Sequence, residues 1–569
     1  METEQERQLQ KSFRIQCQKW AGKPELRAGN TSSIGFFCLA ERCNRDSLAL
    51  PRATPASREF NAWYSERAMP SFYVENFGCR AARADGEAVS ARLLSEGFSE
   101  QTLADADVVV INTCSVTAEA DRDARAFVRK TQRLNASAKV VVTGCYAQRA
   151  PQEIAALPGV TAVVGNSHKG LLPEIVHQLV GHESSALIPA ALISPAGLLS
   201  GASAQIWADD QFAHSSIENG GEHAQVVPGA QTRPNLKIQE GCSNRCTFCI
   251  IPTTRGNSRS LVFAKVQAQV QGFVAAGGRE LVLSGINLGR WGRDLAPVAG
   301  EPSTFAALVR RILSDTDLPR LRLSSIEPMD WTPDLIALVC EFSRSARIAR
   351  HAHLPLQSGC DSVLRRMHRR YRPWHYAAKV AALVKAAGPQ LALGADVMIG
   401  FPGETDAEFR QTCDFIASQP FTYLHLFPFS PRPGTPGWYL HQQFPVPPQA
   451  VNERMTALRE LIAAKTSTFR HSLLGQTLPA ITLQTQGSTA VKGHTSALTD
   501  NYIPVEVNQP LPSNQLVHVV LTEVDPSGTV HAHLQPRPSA TFASSLEAKA
   551  ILHPAESACF SVADTPRLQ

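Results

Sequence analysis

Three cysteines within eight residues form the segment best suited to chemistry. They have a CxxxCxxC spacing and come just after a short apolar run at 235–239: Cys242, Cys246 and Cys249. A structural zinc site or an ordinary iron–sulfur cluster uses four thiolates, so three thiolates leave one metal position open. An open position is typical of a reactive metal centre. A structural zinc loop that takes its fourth ligand from another part of the chain is the alternative.

A second set of cysteines, Cys79, Cys114 and Cys145, is spread over 67 residues. The predicted strands that precede them cover 71–76, 107–112 and 139–143. Valine and isoleucine runs separated by helical patterns predict a parallel sheet that is buried on both faces. The carboxyl ends of such strands share one edge, so we expect the three cysteines to meet there. Three independent core thiols are the alternative.

The segment around the first set, residues 235–448, alternates between strand and helix patterns. The predicted strands are 236–239, 280–284, 321–324, 352–355, 392–399 and 423–427. Six such repeats predict a partial (α/β)6 barrel, in which reactive residues lie at the carboxyl ends of strands. Ser325 and Glu327 follow the third strand, Gln357 follows the fourth, and Ile399 ends the fifth.

The rest of the chain completes an α/β protein with a small all-β part. The predicted boundaries are a poorly ordered extension at 1–69, a parallel α/β domain at 70–180, a linker or insertion at 181–234, a connecting helix at 449–471, a small all-β barrel at 472–536 and a disordered tail at 537–569. Since the first strand begins just after Met69, we expect translation to start at or near that residue.

The composition is that of a folded protein with several domains. The 569 residues are 43% hydrophobic and 18% charged, as in globular chains with buried cores. A net charge of +5 is too weak over this length to indicate a nucleic-acid partner. No apolar run is long enough to span a membrane and no signal-peptide pattern opens the chain, so we expect a cytoplasmic protein. Its 13 cysteines are then expected as metal ligands and core residues rather than disulfides.

The CxxxCxxC segment, with Phe248 directly before its third cysteine, resembles the signature of the radical S-adenosylmethionine (SAM) superfamily. The resemblance implies that these cysteines hold three irons of a 4Fe-4S cluster, that SAM chelates the fourth iron, and that Phe248 lies near the adenine. Gly277-Gly278-Arg279-Glu280 resembles the segment that touches the SAM amino group, and 394–404 resembles the stretch that supports the adenine. The SAM-binding residues implied are Phe248, Glu280, Ser325, Glu327, Gln357 and Ile399.

Within that superfamily, the segments ending in Cys79, Cys114 and Cys145 resemble the N-terminal domain of the methylthiotransferases. The resemblance implies that these cysteines bind a second, auxiliary 4Fe-4S cluster with one open iron. By position and length, the C-terminal barrel resembles the RNA-binding TRAM domain, although Lys492 is nearly its only basic residue.

The family replaces an aromatic C–H by C–SCH3, chemistry that needs a cofactor because no side-chain acid or base removes such a hydrogen. The resemblance implies that the first cluster passes an electron to SAM and releases a 5'-deoxyadenosyl radical, which takes the substrate hydrogen. The auxiliary cluster would hold the sulfur that a second SAM methylates. Both open irons must then face one cavity.

The segments 250–252, 255–260 and 285–289 are most similar to enzymes that methylthiolate C2 of N6-threonylcarbamoyladenosine beside the tRNA anticodon. Relatives that act on N6-isopentenyladenosine, or on an aspartate of a ribosomal protein, are the alternatives within the family. A non-catalytic iron–sulfur protein that binds RNA is the alternative of another class.

The resemblance also implies partners: tRNA, an electron donor such as flavodoxin or ferredoxin, and a sulfur donor. We expect a monomer that does not bind a membrane. A basic cluster interleaved with aromatic residues could neutralise phosphates and stack on unpaired bases, or could be a solvated face: Arg365, Arg366, Arg369, Arg370 and Arg372.

Overall fold

The computed structural model describes residues 69–181, 204–209 and 232–535. The predicted extension before Met69, most of the predicted linker and the predicted tail lie outside the described residues. Among the residues that are described, no helix combines the length and apolar character needed to cross a bilayer.

Six parallel strands form the first sheet. In spatial order they are Ser99–Glu100, Ser71–Asn76, Val108–Thr113, Lys139–Gly144, Val160–Gly165 and Gln205–Trp207. Alternate residues of the central strands belong to different hydrophobic clusters: Val109 and Ile111 pack in one, Val108 and Val110 in the other. Because both faces are covered, the strand sequences are continuously apolar, and the predicted parallel sheet is confirmed.

Helices follow the strands of this sheet. They are Arg80–Ser95, Ala118–Leu134, Cys145–Arg149, Pro151–Ala155 and Leu172–Leu179, with a 3-10 helix at Asn166–Leu171. Cys79 is the N-cap residue of the first helix and Cys145 begins the third. These two cysteines therefore lie at junctions between a strand and a helix, at the carboxyl edge of the sheet.

The central part contains the predicted partial barrel. One sheet has the order Arg320–Leu323, Glu280–Gly285, Asn235–Glu240 and Arg259–Ser260, and the other has the order His351–His353, Ala392–Ile399 and Tyr423–Pro428. The short Arg259–Ser260 strand is antiparallel, whereas the other pairings are parallel. Two isolated parallel bridges, Leu321 with Ile348 and Ser325 with His353, join the sheets. Six parallel strands thus form one partial barrel, as predicted.

Helices surround these strands. They are Ile251–Arg255, Phe263–Ala275, Phe305–Asp315, Pro333–Ser343, Asp361–Arg366, Pro373–Ala387, Asp406–Ser418 and Pro436–Gln443, with 3-10 helices at Leu288–Arg290 and Pro328–Asp330. Two of these helices begin with well-formed caps. Thr332 caps a helix that has a proline at its first position, and Thr405 with Glu408 forms a capping box.

A long helix, Pro448–His471, leads to a closed five-stranded barrel. In barrel order its strands are Thr477–Thr482, Thr495–Thr499, Pro504–Val507, Val530–Leu534 and Leu516–Val524, with a short helix at Gly487–Val491. The barrel is held against the central part by Arg350, which donates two hydrogen bonds to the Asp500 carboxylate at 2.6 and 3.0 Å.

Candidate functional site

Cys79, Cys114 and Cys145, the auxiliary triad, lie together at the carboxyl ends of three neighbouring strands. Gly78 and Gly144 precede two of these cysteines, and each has a positive φ, +107° and +98°. A Cβ on Gly78 would overlap the side chain of Cys114, so the backbone approaches that cysteine as closely as a glycine permits. Topology therefore brings together three thiols that are distant in sequence.

Cys242, Cys246 and Cys249, the core triad, lie in the loop that follows the strand Asn235–Glu240. Local hydrogen bonds shape the loop: the Asn244 amide donates to Cys242 Sγ at 3.4 Å, and the Cys249 amide donates to the Cys246 carbonyl at 3.1 Å. All three cysteines of this triad therefore come from one loop, which is also hydrogen-bonded to Gly256 and Met367.

Each triad is an environment that favours a bound cation. Burial raises the pKa of Cys114 to about 12, and the negative charges of Cys145 and Cys79 add to the effect. Burial likewise raises the pKa of Cys249 to about 12, with smaller contributions from Cys246 and Cys242. Crowded thiols with raised pKa values become thiolates when a metal replaces their protons. The donor sets therefore fit metal-bound thiolates.

A buried arginine contacts the auxiliary triad. Arg255 Nε donates to Cys145 Sγ at 3.2 Å, and the same guanidinium is paired with Asp85 at 3.0 Å and with Glu240. Burial alone would raise the pKa of Glu240, but the charges of Arg255 and Lys237 outweigh it and lower that pKa to about 2. The arginine is therefore held charged beside the sulfur.

A second buried arginine contacts the core triad. Arg369 donates to Cys246 Sγ at 3.2 Å and to Glu327 at 2.6 Å, and its guanidinium lies 4.9 Å from the centre of the Tyr371 ring. Each triad also has an asparagine amide near a sulfur: Asn166 Nδ2 lies 3.5 Å from Cys145 Sγ, and Asn287 Nδ2 lies 3.6 Å from Cys242 Sγ.

One cavity of about 460 Å³ joins the two sets of cysteines. Its walls include Cys79 from the auxiliary triad and all three cysteines of the core triad. Cys114 and Cys145 are buried and do not line it. A molecule in this cavity can therefore approach cysteines of both sets at once.

Four of the six side chains predicted to bind SAM line this cavity: Phe248, Ser325, Glu327 and Gln357. The other two, Glu280 and Ile399, do not. Glu280 begins its strand, so it lies at the edge away from the cavity, where it is paired with Arg320 and Arg322 at 3.3 and 2.8 Å. Ile399 is packed in the hydrophobic core.

The basic cluster predicted to bind RNA contains arginines that are buried or ion-paired and one that is exposed. Arg369 is buried against Cys246, so it is not available to a phosphate group. Arg365 and Arg372 are paired with Asp361 at 2.9 and 3.0 Å, and Arg366 is paired with Glu408 at 2.8 Å. Arg370 is exposed, as is the neighbouring Trp374.

Several residues of the site were not predicted from the sequence: Asn166, Arg255, Asn287, His353, Asp396 and His425. The segments 255–260 and 285–289 carry the family resemblance, so they could have indicated Arg255 and Asn287. Nothing in the chain around Asn166 or the two histidines separates them from ordinary buried polar residues.

Known proteins resemble this chain over both parts of the site. The family model described as "Uncharacterized protein family UPF0004" matches residues 71–165, and that of the radical SAM superfamily matches residues 236–416. The chain is 34% identical over 442 residues to "Threonylcarbamoyladenosine tRNA methylthiotransferase MtaB" of Bacillus subtilis (strain 168), a match that covers 77% of this chain and 90% of that protein.

A second relative is named for a different nucleoside. The "tRNA-2-methylthio-N(6)-dimethylallyladenosine synthase" of Geobacter metallireducens is 33% identical over 367 residues, which covers 64% of this chain and 76% of that protein. Among solved structures, the radical SAM methyltransferase TsrM from Kitasatospora setae is 16% identical with a TM-score of 0.45, and the match covers 65% of this chain and 74% of TsrM.

These matches cover the sheet that carries the auxiliary triad and the barrel that carries the core triad. Membership of the superfamily implies a 4Fe-4S cluster and SAM, which suit the open three-thiolate loop and the adjoining cavity. This chain belongs to the radical SAM methylthiotransferase family.

Proposed function

We propose that this protein adds a methylthio group to C2 of N6-threonylcarbamoyladenosine, next to the anticodon of tRNA. The observation that carries the proposal is the single cavity bordered by cysteines of both triads. The choice of nucleoside rests on the Bacillus relative, of which the chain covers 90%, against 76% for the dimethylallyladenosine relative from Geobacter.

In this proposal the core triad holds one 4Fe-4S cluster and the auxiliary triad holds a second. SAM occupies the cavity beside Phe248, Ser325, Glu327 and Gln357, all of which line it. When bound, the core cluster with SAM supplies a radical that takes hydrogen from an aromatic carbon, and the auxiliary cluster supplies the sulfur. Glu280 and Ile399 are left out of the proposed SAM site because they do not reach the cavity.

The side chains of the protein orient the reactants and control charge. Arg255 donates to Cys145 Sγ and Arg369 donates to Cys246 Sγ, and these contacts would stabilise negative charge on a cluster held by each triad. Their carboxylate partners, Asp85 and Glu327 among them, fix the guanidinium groups in place. SAM and a substrate bound in the cavity would displace water from it, which would protect a radical from side reactions.

We propose that tRNA is held by the C-terminal TRAM-like barrel at 472–536 and by the exposed part of the basic cluster, chiefly Arg370. Reduction is assigned to a flavodoxin or ferredoxin, and a separate donor replaces the sulfur. The catalytic parts are the domain at 70–180 and the barrel at 235–448. We propose a cytoplasmic monomer.

The proposal is tested by mass spectrometry of tRNA nucleosides from a strain that lacks the gene. We expect loss of the methylthio form of threonylcarbamoyladenosine and its return when the gene is restored. Loss of the methylthio form of isopentenyladenosine instead would reassign the substrate. A non-catalytic protein would leave both nucleosides unchanged, and the reduced, reconstituted protein would then form no 5'-deoxyadenosine from SAM.

A further inference from the structure

Two histidines and an aspartate meet inside the cavity on strands that carry no cysteine. His353 ends one strand, and Asp396 and His425 are direct partners on the next two parallel strands. All three line the cavity, and one potential ligand atom from each lies within 4.8 Å of the other two. We call them the His–Asp cluster.

The spacing of these atoms is that of metal ligands. Oδ1 of Asp396 lies 3.4 Å from Nε2 of His353 and 3.2 Å from Nδ1 of His425. Tetrahedral zinc, with bonds of about 2.0 to 2.1 Å to nitrogen and oxygen, places neighbouring ligand atoms about 3.3 Å apart. These two distances are also those of hydrogen bonds, so a bound ion would replace the protons that the two histidines share with Asp396.

The surroundings of His353 also fit a metal ligand. His353 is buried, and its Nε2 faces the Asp396 carboxylate at 3.4 Å. Its Nδ1 lies 3.0 Å from Ser325 Oγ. If Nδ1 donates its hydrogen to Ser325, the lone pair of Nε2 is left for a cation. Metal-bound histidines are oriented in this way, with the second ring nitrogen hydrogen-bonded to a neighbour.

We propose that His353 Nε2, the Asp396 carboxylate and His425 Nδ1 bind one divalent transition-metal ion such as zinc or manganese. Histidine and carboxylate donors suit both ions. Three protein ligands leave at least one position for an exogenous oxygen ligand, and the cavity is the space next to it. The side chain of His425 is 58% exposed, so an ion can reach the cluster from solvent.

The geometry further suggests which ligand the ion takes. A carboxylate suits an open position on zinc or manganese. The threonyl part of the substrate proposed above carries a carboxylate close to the base, and this step rests on the proposed function. The ion would hold that carboxylate in the cavity that the cysteines border, and a relative acting on an isopentenyl group would have no such ligand.

The metal site is tested on the protein reconstituted with iron and sulfide. Equilibrium dialysis against Zn²⁺, and separately against Mn²⁺, is followed by measurement of the bound metal. We expect one ion per chain in addition to iron, bound at least about tenfold more weakly by His425→Ala and Asp396→Asn. His533→Ala, which changes an exposed histidine on the C-terminal barrel, should bind like the wild type.

Unchanged iron content in each variant shows that the protein has folded and kept its clusters. If His425→Ala binds the ion as tightly as the wild type, or if the wild type binds none, the proposed metal site is wrong. The dialysis measurement needs no turnover. Failure of the proposed metal site can therefore be distinguished from failure of the proposed function, which the nucleoside assay tests.

The ligand is tested with N-carbamoyl-L-threonine and the matching amide, in which the carboxylate is replaced. We expect the acid to strengthen Mn²⁺ binding to the wild type several-fold, and the amide to leave it unchanged. Equal effects of the two compounds, or no effect of either, would contradict carboxylate binding by the ion.

Discussion

The two cysteine triads have similar surroundings but are assembled differently. In each, a buried arginine donates to one sulfur at 3.2 Å and an asparagine amide lies 3.5 to 3.6 Å from a sulfur. The core triad lies within one loop, whereas the auxiliary triad requires three strands in correct register. The comparison teaches that a cysteine triad can have the same kind of polar surroundings whether one loop or the order of strands in a sheet brings its cysteines together.

The largest effect is expected from removing a ligand of either triad. Cys114→Ser and Cys249→Ser should each lose one cluster, about half of the bound iron, and all methylthio transfer. They should differ in SAM cleavage: Cys114→Ser keeps the formation of 5'-deoxyadenosine, and Cys249→Ser abolishes it. Iron analysis and a SAM cleavage assay under reducing conditions measure both results.

Cys340→Ser is the control, because this cysteine lies on a helix away from both triads and should change neither result. If Cys114→Ser also abolished SAM cleavage, the two triads would not have separate roles.

The difference between the two triads also shows how much of the site can be predicted from the sequence. The spacing of its cysteines predicts the core triad. The auxiliary triad is predicted because each of its cysteines follows the carboxyl end of a predicted parallel strand. Arg369 shows the limit: it belongs to a run of arginines, and charge alone does not reveal that this one turns inward to Cys246. Likewise, His353, Asp396 and His425 are brought together only by strand register, which their separate segments do not encode in any local pattern.

The second-largest effect is expected from replacing the two buried arginines, Arg255 and Arg369. Arg255→Met should destabilise the protein by about 3–5 kcal/mol, because it leaves Asp85 and Glu240 as buried carboxylates that have lost a cationic partner. Arg369→Met should cost less, because it removes one partner from the less buried Glu327. Thermal unfolding of the reconstituted variants gives the comparison, with both Arg→Lys variants as controls that keep the charge. Equal losses of stability in Arg255→Met and Arg369→Met would contradict the conclusion that the ion pairs of Arg255 are the more deeply buried.

Replacing either of two glycines that precede cysteines should have an effect of intermediate size. Gly144 and Gly241 both have a positive φ, and a Cβ on either would overlap a backbone carbonyl oxygen, of Thr113 and Asn257 respectively. Alanine should cost roughly 1–3 kcal/mol of backbone strain at each site. We expect Gly144→Ala to lower the occupancy of the auxiliary cluster and Gly241→Ala to lower SAM cleavage.

Gly277→Ala is a control, because this glycine also has a positive φ but its Cβ would meet no neighbouring atom. Gly277→Ala should have the same backbone strain, but it should lower neither the occupancy of the auxiliary cluster nor SAM cleavage. If Gly144→Ala and Gly241→Ala gave the same pattern of losses, the triads would not be assembled independently.

The smallest effect is expected from the asparagines. Asn166→Ala removes an amide near Cys145, and Asn287→Ala removes one near Cys242. A lost hydrogen bond to a charged sulfur, worth on the order of 1.4 kcal/mol, should lower the reduction potential of its own cluster by about 60 mV. Potentiometric titration followed by electron paramagnetic resonance measures each cluster. A shift in both clusters from one substitution would show that the amides do not act locally.

The central claim, that both triads hold clusters facing one cavity, is tested most directly by electron paramagnetic resonance of the fully reduced wild-type protein. We predict a spectrum split or broadened by interaction between two neighbouring clusters, an effect absent from Cys114→Ser and from Cys249→Ser. A wild-type spectrum equal to the sum of the two variant spectra, or one that contains a single cluster, would contradict the account.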